Sequence, residues 1–385
     1  MAGPVASRVS WVLDHEYSAA IGLALGVVAA LTWSFSAPSS YFTLFTSPSS
    51  WHLLRVLEVN TVHDAVVNGL MAVFFFAMGL ELSRELASGA LTHPKHAVPP
   101  ILGAVGGMLA TALGSILLGH LLNSAALRRG WGVPMATDVA FTLGVLAVAG
   151  RRLPPLLRVF LLTLAITDDV LCVVVLSVSG TTHVRFDGLV ALVVITAGGS
   201  LASRRATSNV ASVVLLILLW VCFAWANVEP ALAGVLAGVL VSTRAASRPR
   251  LERDVTRISV AVVLPLFALV ACGLHWNNVA LSGAVGTVVI ATIAVRLVGK
   301  TLGITAGVAL ARLLRFRLDP SLTWPLVVTT ALLCAIGFTV PLLFATKLFG
   351  AQSALYAGYT LGLLISSAIA TLVGGALLRV RHRPE

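Results

Sequence analysis

Charged residues are scarce in this sequence. Asp, Glu, Lys and Arg make up 11% of its 385 residues, whereas about a quarter of an ordinary soluble domain is charged. Hydrophobic residues reach 58%, and many apolar stretches approach the roughly 20 residues that cross a bilayer. The composition excludes an ordinary soluble protein and predicts an all-α membrane protein with one integral membrane domain over residues 1–385.

Cysteine is also scarce, and its spacing excludes the usual cysteine chemistry. The four cysteines lie far apart in apolar stretches, without CxxC or CxxH spacing: Cys172, Cys222, Cys272 and Cys334. This pattern favours small packing residues over a zinc site or a disulfide framework, and no cofactor is expected. Asp14 and Glu16 interrupt the apolar core that a signal peptide would need, so we expect the first helix to be retained.

Apolar windows separated by glycine, proline and charge clusters predict about twelve transmembrane helices. They cover roughly residues 17–36, 64–83, 97–122, 133–150, 156–179, 186–203, 210–227, 230–243, 255–274, 281–311, 321–347 and 353–378. The longest loop, Phe35 to Asn60, would form an external hairpin or an interfacial turn. With an even number of spans, the side of the termini would hold 19 of the 26 Lys and Arg residues. The positive-inside rule therefore predicts cytoplasmic termini, and the short, separate basic clusters do not suggest a nucleic acid partner.

Two of these spans contain residues that interrupt helices. The fourth, GVPMATDVAFTLGVLAVAG, has a proline and an aspartate near its start, and the eleventh has Gly337, Thr339 and Pro341 within LLCAIGFTVPLLF. Non-helical backbone at membrane depth survives only where protein or a water-filled cavity surrounds it. One interruption in each half of a chain is typical of a transporter binding site. For either segment alone, a simple proline kink is the alternative.

Five ionisable residues stand out within the predicted spans: Asp138, Asp168, Asp169, Arg296 and Lys300. A charge at the bilayer centre costs at least about 2.5 to 3.5 kcal/mol, so such residues are typically functional. A lone aspartate can be a structural bridge, but the adjacent pair in LAITDDVLC indicates a site. Neighbouring helical residues point about 100° apart, so one would face an ion cavity and the other its edge or a partner helix.

Carboxylate oxygens suit hard cations such as Na⁺ or Li⁺. The hydroxyls of Thr137 and Thr167, together with backbone carbonyls, are plausible further ligands. A proton and a metal ion would then compete for the oxygens of Asp168 and Asp169.

The other intramembrane charges have separate explanations. Lys300 could pair with an aspartate or neutralise the carbonyl ends of a broken helix, while Asp138 offsets exposed N–H groups. The alternative for Lys300 is a side chain that reaches the membrane interface. Arg296, one turn earlier, is expected to do so.

A further charged group lies at the predicted cytoplasmic end of the second span, in GLELSRE. Arg84 is three residues from Glu81, which is ion-pair spacing on a helix, and Glu85 follows it. Glu252, in RLERD, belongs to the same predicted surface. Such clusters are usually solvated structure, and a regulatory role is the alternative.

Seven segments, in order through nearly the whole chain, closely resemble the NhaA-type Na⁺/H⁺ antiporters. They are NGLMAVFFFAMGLELSRE, GWGVPMATDVAFTLGVLAVAGRRLP, FLLTLAITDDV, ALAGVLAGVL, LPLFAL, GKTLGI and CAIGFTVPLLF. The resemblance implies twelve helices in inverted repeats, with interrupted fourth and eleventh helices that cross, and a site open to the cytoplasm. It also suggests a homodimer.

The resemblance assigns roles to individual residues. Asp168 and Asp169 match the family's ion- and proton-binding aspartates, and Asp138, Thr137 and Lys300 match the residues that support them. Glu81, Arg84, Glu85 and, less directly, Glu252 match its pH-response cluster. The chain departs from the family pattern at positions that bear on pH response and ion preference, namely Asn68, Ser83, Glu229 and Pro230, and in lacking the asparagine expected after LPLFAL.

These observations predict an electrogenic antiporter, not an enzyme, in a bacterial-type inner membrane. It would extrude cytoplasmic Na⁺ or Li⁺ in exchange for more than one proton at the aspartate pair. One alternative is a sodium-coupled symporter of an organic anion, which would need a roomy polar cavity beside the ion site. The other is a sensor that keeps the fold without transport.

Overall fold

The computed structural model is helical wherever it has regular secondary structure. It describes residues 4–48, 59–88, 92, 94–149, 154–180, 185–202, 209–242, 249–278, 282–316 and 318–381, and these ranges contain no β-strand. The predicted all-α class is confirmed. Nine of the basic residues counted above lie outside the described ranges: Arg55, Arg151, Arg152, Arg204, Arg205, Arg244, Arg248, Arg317 and Arg383.

The first half of the chain forms seven helices within the described ranges. They are α1 (Pro4–Ser36), α2 (Pro38–Thr46), α3 (Val62–Asp64, a π-helical turn at Ala65–Leu70, then Met71–Ser88), α4 (Pro94–Leu121), α5 (Ala125–Arg129), α6 (Val139–Ala149) and α7 (Pro155–Gly180).

The second half continues with α8 (Phe186–Ala202), α9 (Asn209–Trp225), α10 (Ala231–Ser242), α11 (Pro249–Ile258, a π-helical turn at Ser259–Val263, then Leu264–Ala271), α12 (Gly283–Ala294, a π-helical turn at Val295–Lys300, then Thr301–Leu313), α13 (Trp324–Leu333), α14 (Thr339–Phe349) and α15 (Ala354–Arg381).

Seven of the described helices are long and apolar enough to cross a membrane. Their apolar spans are Ser18–Ser36, Val62–Ala87, Lys95–Leu121, Leu156–Ser179, Arg250–Ala271, Gly283–Leu313 and Ala354–Arg379. The helices α6, α8, α9, α10, α13 and α14 are apolar but shorter. An α-helix rises 1.5 Å per residue, so an eleven-residue helix covers only about half of a bilayer core.

The expected loop from Phe35 to Asn60 is wrong in its first part. Its residues Pro38–Thr46 form α2, with the proline in the first turn, where its missing N–H costs nothing. The Tyr41 hydroxyl donates to the carbonyl oxygens of Leu269 (2.7 Å) and Val270 (3.0 Å). These bonds hold α2 against α11, which the local sequence does not reveal. Residues 49–58 of the expected loop lie outside the described ranges.

The chain divides into two compact units. One comprises Met1–Leu25, His93–Cys172 and Leu274–Glu385, and the other comprises Gly26–Thr92 and Val173–Gly273. The first contains all five intramembrane charges singled out above. The second contains Glu81, Arg84, Glu85 and Glu252.

In the first unit, small residues bring α4 and α12 into close contact. A Cβ atom on Gly106 would collide with the carbonyl oxygen of Gly303, so only glycine permits this approach of the two backbones. One turn away, the side chain of Lys300 passes beside Gly107. The packing of α4 therefore fixes the π-helical turn of α12 that carries the basic residues.

In the second unit, the apolar faces of α3, α9 and α10 share one core. It contains Phe76 and Leu80 of α3, Leu219 and Phe223 of α9, and Ala237 of α10. This packing sets the orientation of α3, whose last turns carry Glu81, Arg84 and Glu85.

Candidate ion-binding site

The first interruption precedes α6. The predicted span begins at Val133, but the helix begins only at Val139, after non-helical backbone at residues 135–138. Asp138 sits at the N-terminal end of α6, where its Oδ1 accepts a hydrogen bond from the backbone N–H of Phe141 (3.0 Å). A carboxylate in this position satisfies an N–H group that has no partner within the helix and interacts favourably with the helix dipole.

The second interruption separates α13 from α14. The first helix ends at Leu333 and the second begins at Thr339. Pro341 is the third residue of α14, in the first turn, where a helix tolerates proline. One helix therefore ends and another begins here, and a simple proline kink does not describe the eleventh predicted span.

The two interruptions contact each other. The backbone N–H of Asp138 donates to the carbonyl oxygen of Ile336 (2.9 Å), and the Thr137 hydroxyl donates to that of Cys334 (2.9 Å). A Cβ atom on Gly337 would lie 2.6 Å from the Ala136 carbonyl oxygen, so a side chain there would push the two segments apart.

The aspartate pair lies in the middle of α7. Asp168 is 0% exposed and Asp169 1% exposed. Oδ2 of Asp168 accepts a hydrogen bond from Lys300 Nζ at 2.7 Å. Among the described residues, the other oxygen of Asp168 and both oxygens of Asp169 have no hydrogen-bond donor, and neither does Oδ2 of Asp138.

These unsatisfied oxygens are chemically informative. A buried carboxylate without donors is costly, and the cost falls when a proton or a metal cation binds it. The hydroxyls of Thr137 and Thr167 donate to the carbonyl oxygens of Cys334 and Thr163, so neither donates to the aspartates. The arrangement can hold a small cation or protons on the same group of oxygens.

Lys300 is fully buried in the π-helical turn of α12. Besides Asp168, its ammonium donates to the carbonyl oxygen of Met135 in the first interruption. The alternative in which Lys300 reaches the membrane interface is wrong. Its side chain links the aspartate pair to the non-helical backbone.

Arg296 was expected at the interface, and that expectation is also wrong. Its side chain is 0% exposed, and its guanidinium donates to the carbonyl oxygens of Pro134 (2.9 Å), Ala136 (3.1 Å) and Ala335 (3.0 and 2.8 Å). The sequence carried a signal for this position. Residues four apart share a helix face, so a residue one turn before Lys300 should point in the same direction.

The second predicted group also comes together, within the other compact unit. Arg84 lies 3.3 Å from Glu81, 3.6 Å from Glu85 and 3.4 Å from Glu252. Arg84 is 42% exposed, so each of these pairs contributes little to stability. The contact with Glu252 nevertheless joins the end of α3 to α11.

Comparison with known proteins bears on the activity. The sequence profile of the family described as Na⁺/H⁺ antiporter 1 matches residues 10–378. A Na⁺/H⁺ antiporter NhaA 2 of Kineococcus radiotolerans is 36% identical, over 99% of this chain and 87% of its own length. A Na⁺/H⁺ antiporter NhaA of Nocardia farcinica is 39% identical over 84% of this chain and 79% of its own, and one of Cronobacter sakazakii is 34% identical over 93% of both.

Proposed function

Because the chain belongs to the Na⁺/H⁺ antiporter 1 family, we propose that it exchanges Na⁺ for protons at Asp168 and Asp169. One observation carries the choice of residues. Three of the four carboxylate oxygens in this buried pair have no donor among the described residues, while the fourth accepts from Lys300. Such oxygens attract protons and hard cations alike.

Competition at this pair couples the two flows. A Na⁺ ion that coordinates Asp169 and the free oxygen of Asp168 weakens the hold of Lys300 on Asp168. Protons that bind the same oxygens expel the ion. Li⁺ is also a small, hard cation, so it fits the same donors.

The charges of the site imply an electrogenic cycle. Two ionised aspartates with a protonated Lys300 carry one net negative charge, which a single Na⁺ neutralises. Two protons on the same pair leave one net positive charge. One charge then crosses the membrane in each cycle, and the membrane potential and proton gradient together drive Na⁺ out of the cell.

Thr137, Asp138 and Lys300 form the supporting part of the site. The backbone N–H of Asp138 and the hydroxyl of Thr137 donate across the two interruptions and hold them together, and Lys300 connects the first interruption to Asp168. In this proposal the interrupted segments belong to crossing helices in a twelve-helix transporter domain. The protein sits in an inner membrane, its termini are cytoplasmic, and it works as a homodimer.

Reconstitution tests this assignment. In proteoliposomes with an imposed pH gradient, we expect Na⁺-dependent proton movement by the wild type and background rates for Asp168→Asn and Asp169→Asn. Asp187→Asn, at an exposed position, is the matched control. Full exchange by both site variants would contradict the site. Na⁺-dependent uptake of an organic anion would favour a symporter, and no transport at all would favour a sensor.

Glu81, Arg84, Glu85 and Glu252 are proposed to adjust activity to pH, because three carboxylates share one guanidinium. We expect Glu252→Gln to shift the pH profile of exchange while its maximal rate stays near that of the wild type. Asp254→Asn, an exposed substitution two residues further along α11, should leave the profile unchanged. Superimposable profiles for both variants and the wild type would refute the role.

A further inference from the structure

Six carbonyl oxygens at the two interruptions accept hydrogen bonds, and most of the donors are side chains. A helix that stops leaves its last carbonyl oxygens without intrahelical partners. After α13, the oxygens of Cys334, Ala335 and Ile336 accept from Thr137, Arg296 and the backbone N–H of Asp138. Of these three oxygens, only that of Ala335 accepts from a charged side chain.

The same holds for the segment before α6. Three consecutive carbonyl oxygens, those of Pro134, Met135 and Ala136, accept from Arg296, Lys300 and Arg296 in turn. Arg296 thus donates to three of the carbonyl oxygens, with two hydrogen bonds to one of them. Lys300 donates to one carbonyl oxygen and to Asp168. Arg296 therefore binds only backbone oxygens in these contacts, whereas Lys300 also binds a carboxylate.

Carbonyl oxygens gathered around a buried space are also the ligands that Na⁺ prefers. The guanidinium of Arg296 occupies the position that a cation would take among the oxygens of Pro134, Ala136 and Ala335. A guanidinium stays protonated in proteins, so this charge is permanent. It lies within electrostatic reach of Asp138 and Asp168, so it also repels any cation approaching them.

We propose that Arg296 is a positioning residue for exchange, a tethered cation that fills the carbonyl cluster of Pro134, Ala136 and Ala335 and so confines Na⁺ to the aspartate pair. The inference rests on the proposed function. With Arg296 in place, the backbone oxygens are unavailable to Na⁺. The ion is then coordinated by the aspartate pair alone, and its affinity stays low enough for release. Lys300 is then free to separate from Asp168 when Na⁺ arrives.

Replacing the guanidinium tests this role through the way KM and kcat change. In Arg296→Gln, the loss of repulsion and the vacated carbonyl oxygens should lower the KM for Na⁺ about tenfold. The kcat should fall by a similar factor, on the order of tenfold, because the ion leaves more slowly. Arg296→Lys keeps the charge and should hold KM within about threefold of the wild type, even if its kcat is reduced.

The measurement is the initial rate of exchange by the full chain in proteoliposomes, at several Na⁺ concentrations and one pH. Arg312→Gln, an exposed arginine in the last turn of α12, is the matched control and should leave KM unchanged. A purely structural role would reduce the active fraction, and therefore the apparent kcat, without lowering KM.

Several outcomes decide the matter. An unchanged or higher KM in Arg296→Gln, with normal exchange by the wild type, overturns this inference and leaves the proposed function standing. If Arg296→Gln does not fold, a tenfold change of KM in folded Arg296→Lys also overturns it, and a KM near that of the wild type supports it. Absence of exchange by the wild type overturns the proposed function, and this inference with it.

Discussion

Asp168 and Asp169 are neighbours in sequence but have different surroundings. The 100° step between adjacent helical residues turns one carboxylate to Lys300 and leaves the other without a donor among the described residues. Removing the charge of Asp168 should therefore affect stability differently from removing that of Asp169, although we propose that both take part in exchange.

We expect Asp168→Asn to lower the free energy of unfolding by about 3 to 5 kcal/mol, because it leaves the Lys300 ammonium buried without its counter-charge. Asp169→Asn should leave stability unchanged or raise it, since it removes a buried charge that has no donor among the described residues. Thermal unfolding of purified protein in Na⁺-free detergent solution distinguishes the two, with Asp187→Asn as control. A greater loss in Asp169→Asn than in Asp168→Asn would refute this division of roles.

At this scale the sequence is informative where a residue type is anomalous. Two carboxylates and a lysine within apolar spans stand out because burial of a charge is costly. The sequence alone therefore identifies them as candidate site residues. Arg296 was missed because a long side chain can in principle reach the interface from the same position. Only the fold shows that three carbonyl oxygens surround its guanidinium.

The interrupted helices depend on close backbone contact. Gly337 lies where a Cβ atom would be 2.6 Å from the Ala136 carbonyl oxygen and 2.5 Å from Arg296 Nη2. Both neighbours are held by other contacts, so neither can easily move. Any side chain at residue 337 must displace the Arg296 guanidinium or separate the interruptions.

We expect Gly337→Ala to lower the free energy of unfolding by about 1 to 3 kcal/mol, the usual cost of overpacking. Exchange should fall at least about tenfold, because sub-ångström displacement of the site matters to binding geometry. Gly198→Ala in α8 is the control, since a Cβ atom there meets nothing within 4 Å. Wild-type stability and exchange rate in Gly337→Ala would show that the interruptions tolerate a wider spacing.

Helix boundaries could be predicted where the signal is local. Gly337, Thr339 and Pro341 mark the second interruption, and Pro341 indeed falls in the first turn after it. The helix α2 was missed because Ser- and Pro-rich sequence favours a loop. Its hydrogen bonds from Tyr41 to residues more than 200 positions away supply the stabilisation that the local sequence lacks.

For the whole molecule, composition alone predicts the class. A chain with 11% charged residues and repeated apolar stretches must satisfy its backbone within helices or a closed barrel when it crosses a bilayer. Composition does not predict which helices pack together. The contact of α4 with α12 depends on Gly106 meeting Gly303, and glycines are frequent throughout apolar spans.

Charge movement is a property of the whole transport cycle. If each cycle carries one Na⁺ outward and two protons inward, a potential of 100 mV does about 2.3 kcal/mol of work on the net charge. At equal pH on both sides, an interior-negative potential of this size should expel Na⁺ from proteoliposomes until its concentrations differ about 50-fold. A K⁺ gradient with valinomycin sets the potential, and vesicles with Asp169→Asn measure the leak. The contrary outcome is an equal Na⁺ concentration inside and outside the vesicles under this potential, in vesicles that exchange normally when a pH gradient is imposed. It would show that equal charges move in both directions and that the aspartate pair releases only one proton for each Na⁺.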